Sequence, residues 1–521
     1  MLTWTDEWHV RRNLVLTLGL RYEYSSPKVD TQARSFSLNP GQKSTVFPNA
    51  PTGLLFPGDT NAPLGANYPD KNDWAPRLGF AWDPFGDGKT SIRGGAGMFY
   101  DILKAEDNLQ YNGQAPFFGY ADLFFDPLSK NPTSQVPYFT NPFPNADPPT
   151  PNSFPSRPPP KNLDFGAAGF LPFGGGGVYF VDPHLRTPYV FQYNLSVQHQ
   201  FANNLTAEVA YVGSSSHKLT ALVDTNPFIL GTTHRLYSQQ PGNTDGSFSY
   251  LDTFTNVGTA NYNSMQASLS KRMSDTRFIG TTYFQLSYTY GHSIDNASGF
   301  RERNGRVPYY NHNQFRASSD EDLRHRVVLS GGWDLPFDHA WTSGPKLLTR
   351  GWSLYPIFTW STGFPLDVLS GISRSRTRVG PSDAGDPNLV RADLVGAGIT
   401  EFDPHLSQIF NGRTGNFYFN PANFSTARFS TLNPADPAQR TYGTLGRNVF
   451  RGPDRTNFDV ALAKTFFVGE RLRAELRGEA FNVLNHAQFS QPNTTITSSS
   501  FGQISTTADP RIIQIALRVS F

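Results

Sequence analysis

Hydrophobic and polar residues alternate along this chain with a period of two, the spacing at which successive strand side chains point to opposite faces. From Leu14 to Tyr24, Leu14, Leu16, Leu18, Leu20, Tyr22 and Tyr24 share one face, while Val15, Thr17, Gly19, Arg21 and Glu23 share the other. The pattern recurs at Tyr193–Phe201, Leu205–Tyr211, Phe284–Tyr290, Leu472–Ala480 and Ile513–Phe521. Strands are predicted over 2–10, 14–24, 76–83, 90–100, 188–201, 205–213, 262–273, 281–292, 325–336, 351–367, 456–467, 471–483 and 511–521. Most exceed the usual strand of about five to six residues. They match the roughly nine to eleven tilted residues that cross a bilayer.

The connections alternate as well. Arg11-Arg12-Asn13, Phe85-Gly86-Asp87-Gly88-Lys89, Ala202-Asn203-Asn204 and Val468-Gly469-Glu470 carry the Gly, Asn and Asp of tight hairpins. Long loops are expected near 25–74, 102–187, 215–260, 296–323, 368–454 and 484–510. Short turns on one side and long loops on the other are the topology of an antiparallel transmembrane β-barrel, with the turns periplasmic and the loops extracellular. By this parity the strands at 2–10 and 511–521 both run towards the periplasm. The first of them has no upward partner before it, so an N-terminally truncated barrel is expected.

Composition agrees with an all-β barrel more readily than with a soluble enzyme. Only 38% of residues are hydrophobic, yet aromatics reach 14%, with 43 Phe and 22 Tyr among 521 residues. Mean hydropathy is −0.43. A greasy lipid face, a wet lumen and aromatic girdles give that mixture. There are no cysteines, and the net charge of +2 gives no bulk case for nucleic acid. No run of eighteen apolar residues marks a spanning helix, and the segment after Met1 has no signal-peptide pattern.

The residues that could carry chemistry are few. Arg21, Glu23, Glu208, Arg473, Glu475, Arg477, Glu479 and Arg518 fall on the polar side of their strands and are candidates to line a lumen. The alternating charges of 473–479 could line a solute path or contact a plug. A self-compensating ladder is the simpler reading. Tyr22, Tyr24, Tyr288, Tyr290, Trp333, Trp352 and Phe521 lie near strand ends and are candidates for the girdle at headgroup level. His199, His312, His325 and His486 stand without partners at metal-ligand spacing. Asp295-Asn296 and Asp383-Ala384-Gly385-Asp386 lack calcium-loop spacing. Gly94-Gly95-Ala96-Gly97 lies inside a strand, and Gly174-Gly175-Gly176-Gly177 is not followed by a phosphate-binding helix. The proline-rich 141–151 and 157–160 read as extended loop, either inert or a ligand-contacting lid. No catalytic site, cofactor or metal site is expected.

Several stretches, spread over nearly the whole chain, resemble the barrel of TonB-dependent outer-membrane receptors, in particular the Oar-like group. They include Trp4-Thr5-Asp6-Glu7-Trp8, Leu16–Glu23, Trp74–Asp83, Tyr189–Gln198 and Ala210–Ser214. Gly446-Arg447-Asn448, Arg451-Gly452-Pro453, Arg477–His486 and Pro510–Gln514 complete the series. The resemblance implies a barrel of about 22 strands, of which about 13 are present here. It also implies an N-terminal plug, a TonB box and often a carboxypeptidase-regulatory-like domain, none visible in this sequence. The expected function is uptake of a saccharide, peptide or metal chelate through the outer membrane. Expected partners are outer-membrane lipid, the barrel-assembly machinery through the strand ending at Phe521, and TonB in a protein that carries plug and box. The alternatives are a structural or adhesive surface barrel and a secreted β-protein such as a carbohydrate-binding sandwich.

Overall fold

The computed structural model describes residues 1–101, 116–117, 159–174, 179–227, 229, 232, 234–276, 279–299, 307–370, 391–396, 398–427, 443–468 and 472–521. Its frame is one antiparallel sheet of thirteen long strands, each paired with its sequence neighbours. They are β1 (Leu2–Arg11), β2 (Leu14–Glu23), β3 (Asp73–Trp82), β4 (Thr90–Tyr100), β5 (Tyr189–Ala202), β6 (Leu205–Asp224) and β7 (Asp252–Thr276). The remainder are β8 (Gly280–Asp295), β9 (His325–Leu335), β10 (Trp352–Ser361), β11 (Arg455–Val468), β12 (Leu472–Phe481) and β13 (Ile512–Ser520). Each corresponds to a segment expected from alternation. β1 and β13 form the two edges of the sheet and are not paired to each other.

Turn chemistry fixes the short-turn end. Between β3 and β4, the Asp83 carboxylate accepts from the Gly86 N–H at 2.9 Å and the Gly88 N–H at 2.8 Å. Both glycines have φ near +70°, which a residue with a Cβ rarely adopts. Asn13, in the β1–β2 turn, donates through Nδ2 to the Asp83 carbonyl at 2.7 Å and ties adjacent hairpins together. The β9–β10 connection is longer and holds two single-turn helices, Phe337–Ala340 and Lys346–Thr349. Gly469 and Glu470 of the expected β11–β12 turn lie outside the described residues.

Two boundaries differ from expectation. The loop expected at 215–260 is in part strand: β6 continues to Asp224 and β7 begins at Asp252, pairing Asp224 with Asp252 and Leu222 with Phe254. Alternation fails there because Leu222, Val223, Leu251 and Phe254 are all buried, so both faces of this extension are covered and period two carries no signal. Strand β10 ends at Ser361 rather than 367; Pro365 and Leu366 belong instead to a small two-stranded ladder with Phe450 and Arg451.

Register places the apolar residues of successive strands side by side. One continuous row runs Leu18, Leu78, Ala96, Tyr193, and another runs Val209, Ala267, Tyr288, Val327, Trp360. Many of these side chains are open: Leu78 is 54% exposed and Val209 52%. Buried apolar residues concentrate instead in the long-loop segments, in two aromatic modules. The first joins Phe36, Phe47, Phe56, Phe165, Phe173, Phe180, Tyr237 and Phe248 from three successive long connections. The second joins Leu366, Val368, Phe419, Phe424, Phe450 and Phe501 from the last two.

Candidate functional site: the polar face and its loop cap

The face opposite the apolar rows carries Gln192, Asn194, Ser196 and Gln198 of β5, then Glu208 of β6, then Gln266 and Ser268 of β7 in lateral register. Glu208 lies opposite Gln198 and Ser268. Arg21 and Glu23, two residues apart on this face of β2, form an ion pair. On β12, the Arg477 Nε donates to Glu479 at 2.7 Å, and the Arg477 guanidinium lies 5.2 Å from the Tyr355 ring centre. Glu475 is directly opposite Arg518 of β13, and Arg473 is opposite Ser520. All eight residues singled out for a lumen therefore occur on the polar face. They are distributed over β2, β6, β12 and β13 rather than gathered into one constellation.

The candidate girdle residues fall at both strand ends. At the long-loop end, Tyr22 packs on Trp74 with ring centres 4.6 Å apart and donates to the Lys71 carbonyl at 3.0 Å. The Tyr288 hydroxyl meets His325 Nδ1 at 2.9 Å, and Tyr290 lies 5.0 Å from the His325 ring. Tyr24 lies exposed just past β2. At the short-turn end, Trp333 donates through Nε1 to the Ile279 carbonyl at 2.6 Å, and Trp352 to the Leu348 carbonyl at 2.7 Å. Phe521 is open beyond β13. Polar tips bonded at the rim and rings along the apolar face are what an interfacial position asks of Tyr and Trp.

Sequence reasoning missed two lysines on the apolar face. Lys271 and Lys464 both sit near the short-turn end, where they interrupt the alternation. Lys271 Nζ donates to Ser274 Oγ at 2.8 Å and to the Thr282 carbonyl at 2.9 Å. Lys464 Nζ reaches the Arg350 carbonyl and lies 5.4 Å from the Trp352 ring centre. A long aliphatic stem with its ammonium turned to the rim is the arrangement expected for a lysine at an apolar boundary.

Buried charge was missed too, because its partners are far apart in sequence. Arg447, 3% exposed, is ion-paired with Asp295 at the top of β8 and donates to Ser298 Oγ at 2.6 Å and to the Phe315 carbonyl at 3.2 Å. The Asn448 amide donates to the Ser318 carbonyl and to Asp320 Oδ1, each at 2.7 Å. Arg451 is ion-paired with Asp322 and donates to the Gly363 carbonyl at 3.0 Å. Arg391 and Asp367 make a buried fork through two bonds of 2.9 and 2.7 Å. Burial pulls the Arg391 pKa down, while the Asp367 charge and hydrogen bond oppose that shift. The bonds of Arg447, Asn448 and Arg451 lock the connection after β8 to the connection after β10, and the Arg391–Asp367 fork ties the latter connection to itself. The motifs Gly446-Arg447-Asn448 and Arg451-Gly452-Pro453 thus act as loop clamps.

In the first module, Asp59 is the polar hub. It accepts from Ser44 Oγ at 2.6 Å, from Thr45 N–H and Oγ1 at 2.6 and 2.7 Å, and from Phe56 N–H at 2.9 Å. Burial would raise its carboxyl pKa, but these donors together hold it below the ordinary value.

Asp295 is paired with the Arg447 guanidinium. Among the described residues, no group of three or more His, Asp or Glu is arranged to hold a metal. His199 meets Thr90 Oγ1 at 2.9 Å and packs on Phe201. In β4, a Cβ on Gly94 would stand 2.4 Å from the Phe80 ring, so Gly94 is the space over which that ring lies. The 141–151 and 157–158 prolines, Gly175–Gly177 and Asp383–Asp386 lie outside the described residues.

Comparison with solved structures gives matches of low sequence identity. The outer membrane transporter YddB from Escherichia coli matches with a TM-score of 0.44 at 11% identity, covering 98% of this chain and 43% of its own. The ferripyoverdine-bound receptor of the Pseudomonas aeruginosa outer membrane gives 0.39 at 10%, covering 99% and 37%. The siderophore receptor PirA from Acinetobacter baumannii gives 0.41 at 10%, covering 99% and 45%. The chain thus spans less than half the length of these structures. No curated protein matches it in sequence. The model of the outer membrane beta barrel domain matches residues 4–514, almost all of the sheet and both loop modules. With its thirteen membrane-length strands, its exposed apolar face and its alternation of turns and long loops, the chain belongs to the outer membrane β-barrel domain family and resides in the outer membrane.

Proposed function

We propose that this chain is part of the barrel of a TonB-dependent outer-membrane transporter of the Oar-like group, importing a saccharide, peptide or metal chelate. The observation that carries the reading is the pairing of one continuous polar face with a capped long-loop end. A wall that meets lipid on one side needs no charges on the other unless that side meets water. Arg21, Glu23, Glu208, Arg473, Glu475, Arg477, Glu479 and Arg518 then line the lumen, and the rim aromatics form the girdle. The sequence resemblance set out above supports the family and the 22-strand closure, with this chain as the C-terminal part and 1–521 as one barrel unit. In that protein a plug and TonB box supply the energised step, and the last strand is read by the assembly machinery.

The experiment is nutrient uptake by a strain deleted for the gene, across saccharides, peptides and metal chelates, with and without a functional TonB. Loss of one uptake activity on deletion is expected where TonB works, with restoration by the gene only in that background. Unchanged uptake of every solute alongside loss of cell–cell or matrix adhesion would favour the adhesive reading instead. That second reading draws on the two loop modules, which bury aromatic cores of their own and so can present stable outer surfaces.

A further inference from the structure

Where β9, β10 and β11 reach the long-loop end, their polar face opens into a cleft of about 460 Å³. Arg326 and Arg455 both line it, each opposite Ser361 of the strand between them. Two strand spacings separate their backbones by about 10 Å, within reach of two converging arginine side chains. Both residues are exposed, and among the described residues neither guanidinium has an ion-pair or hydrogen-bond partner. This sets them apart from Arg21, Arg391, Arg447, Arg451 and Arg477, each bound to a carboxylate.

Nearby acids do not answer this charge. The Asp454 carboxylate accepts from the Gly363 N–H at 3.1 Å. Asp459, on the same face as Arg455, lies about 13 Å further along the strand and accepts from the Asn482 N–H at 2.8 Å. One step below the arginines, Thr359 and Asn457 are register partners and add neutral donors to the cleft. The outer wall is the last long connection, folded back as a hairpin. Ala508 N–H donates to the Gln488 carbonyl at 2.8 Å, and Ser490 N–H to the Thr506 carbonyl at 3.0 Å. Gln488 accepts from the Thr456 N–H at 3.1 Å and donates to the Thr456 carbonyl, which pins this wall to β11. Phe489 supplies an apolar side to the cleft.

We infer that this cleft binds a small molecule carrying two or more carboxylate or phosphate groups, held between Arg326 and Arg455. Guanidinium forks match such oxyanions in charge and planar geometry, and two forks select two acidic groups over one. Thr359 and Asn457 orient the rest of the ligand by hydrogen bonds, and Phe489 covers its carbon skeleton. The inference rests on the transporter reading for its biological sense, since it names the class of solute, but the binding itself is measurable without transport.

The test is calorimetric titration of the detergent-solubilised chain with citrate, inorganic pyrophosphate and, as a neutral control, maltotriose. Citrate or pyrophosphate is expected to bind saturably at low salt, weakening as salt rises, while maltotriose does not bind. Citrate alone would identify a polycarboxylate, and pyrophosphate alone a polyphosphate. Arg326→Gln and Arg455→Gln are each expected to weaken binding about tenfold, as befits the loss of one charged hydrogen-bonding partner. The double lysine variant is expected to keep part of the affinity, and Lys346→Gln at the far end of the sheet to change nothing. Circular dichroism confirms that each variant holds its β structure. Anion binding that survives Arg326→Gln together with Arg455→Gln overturns the inference, as does equal binding of maltotriose or no anion binding at all. Anion binding without any uptake phenotype would sink the transporter reading alone.

Discussion

The sheet and the loop cap use the same apolar side chains in opposite ways. On β3, Leu78 is 54% exposed, and on β12, Leu476 is 44% exposed. In the cap, Leu54, Val368 and Phe419 are wholly buried. The cap obeys the rule for water, where apolar area is removed from solvent and charges are paired. The sheet follows the rule for lipid: the strands between its two edges bond their backbone groups to neighbours on both sides, and its apolar side chains stay exposed. What differs is the solvent that each region is built to meet. The two regions join at the strand tops, where Arg447 and Arg451 bind Asp295 and Asp322.

This contrast can be broken at defined places. The largest effects are expected in the cap. Phe419→Ala removes a ring packed against Phe424, Phe450 and Phe501 and should cost about 3–5 kcal/mol of the stability of the second module. Hydrogen exchange would show the loss as fast exchange across 391–427 and 443–454 with protection in the strands unchanged. Arg447→Ala leaves Asp295 without its buried counter-ion and should cost a similar ~3–5 kcal/mol. Proteolysis of the connections after β8 and β10 should accelerate together in that variant, since one clamp holds both.

A smaller effect is expected on the sheet. Leu476→Arg places charge in the middle of the apolar face and should destabilise the chain in lipid vesicles by about 2–4 kcal/mol. Ser268→Lys, on the opposite face beside Glu208, should be nearly neutral. Urea unfolding of both variants from vesicles checks the assignment of faces, and equal costs would break it.

The smallest effect is a pH dependence in the first module. Asp59 has a lowered folded pKa, so its ionised form stabilises the fold at neutral pH. That contribution is complete above the unfolded value of 3.8 and is lost as pH falls through the lower folded value. Asp59→Asn should lower stability at neutral pH and flatten the acid limb below pH 3.8, measured as proteolytic release of residues 30–66 against pH.

Much of the sheet was legible from residues alone, because a strand with one apolar face writes its period into the sequence. Leu14–Tyr24 needed no partner to be read, and neither did Ile513–Phe521. The short turns were legible for the same local reason: Asp83, Gly86 and Gly88 close their own hairpin. Polar-face residues such as Arg477 and Glu479 could be placed on a side but not given partners. The upper parts of β6 and β7 carry no such period, since burial on both faces erases alternation. Lys464 breaks the pattern on the apolar face, and only its proximity to the Arg350 carbonyl and Trp352 explains it.

The sequence by itself determined the period, the turns and the two unlike faces, because each depends on residues close together in the chain. Tertiary structure decided which of the arginines are spent on internal carboxylates and which are free. Arg447 meets Asp295 across 152 positions, whereas Arg326 and Arg455 meet only each other's neighbourhood. That choice depends on how the loops fold over the strand tops, and pairing at such range leaves no local pattern to read.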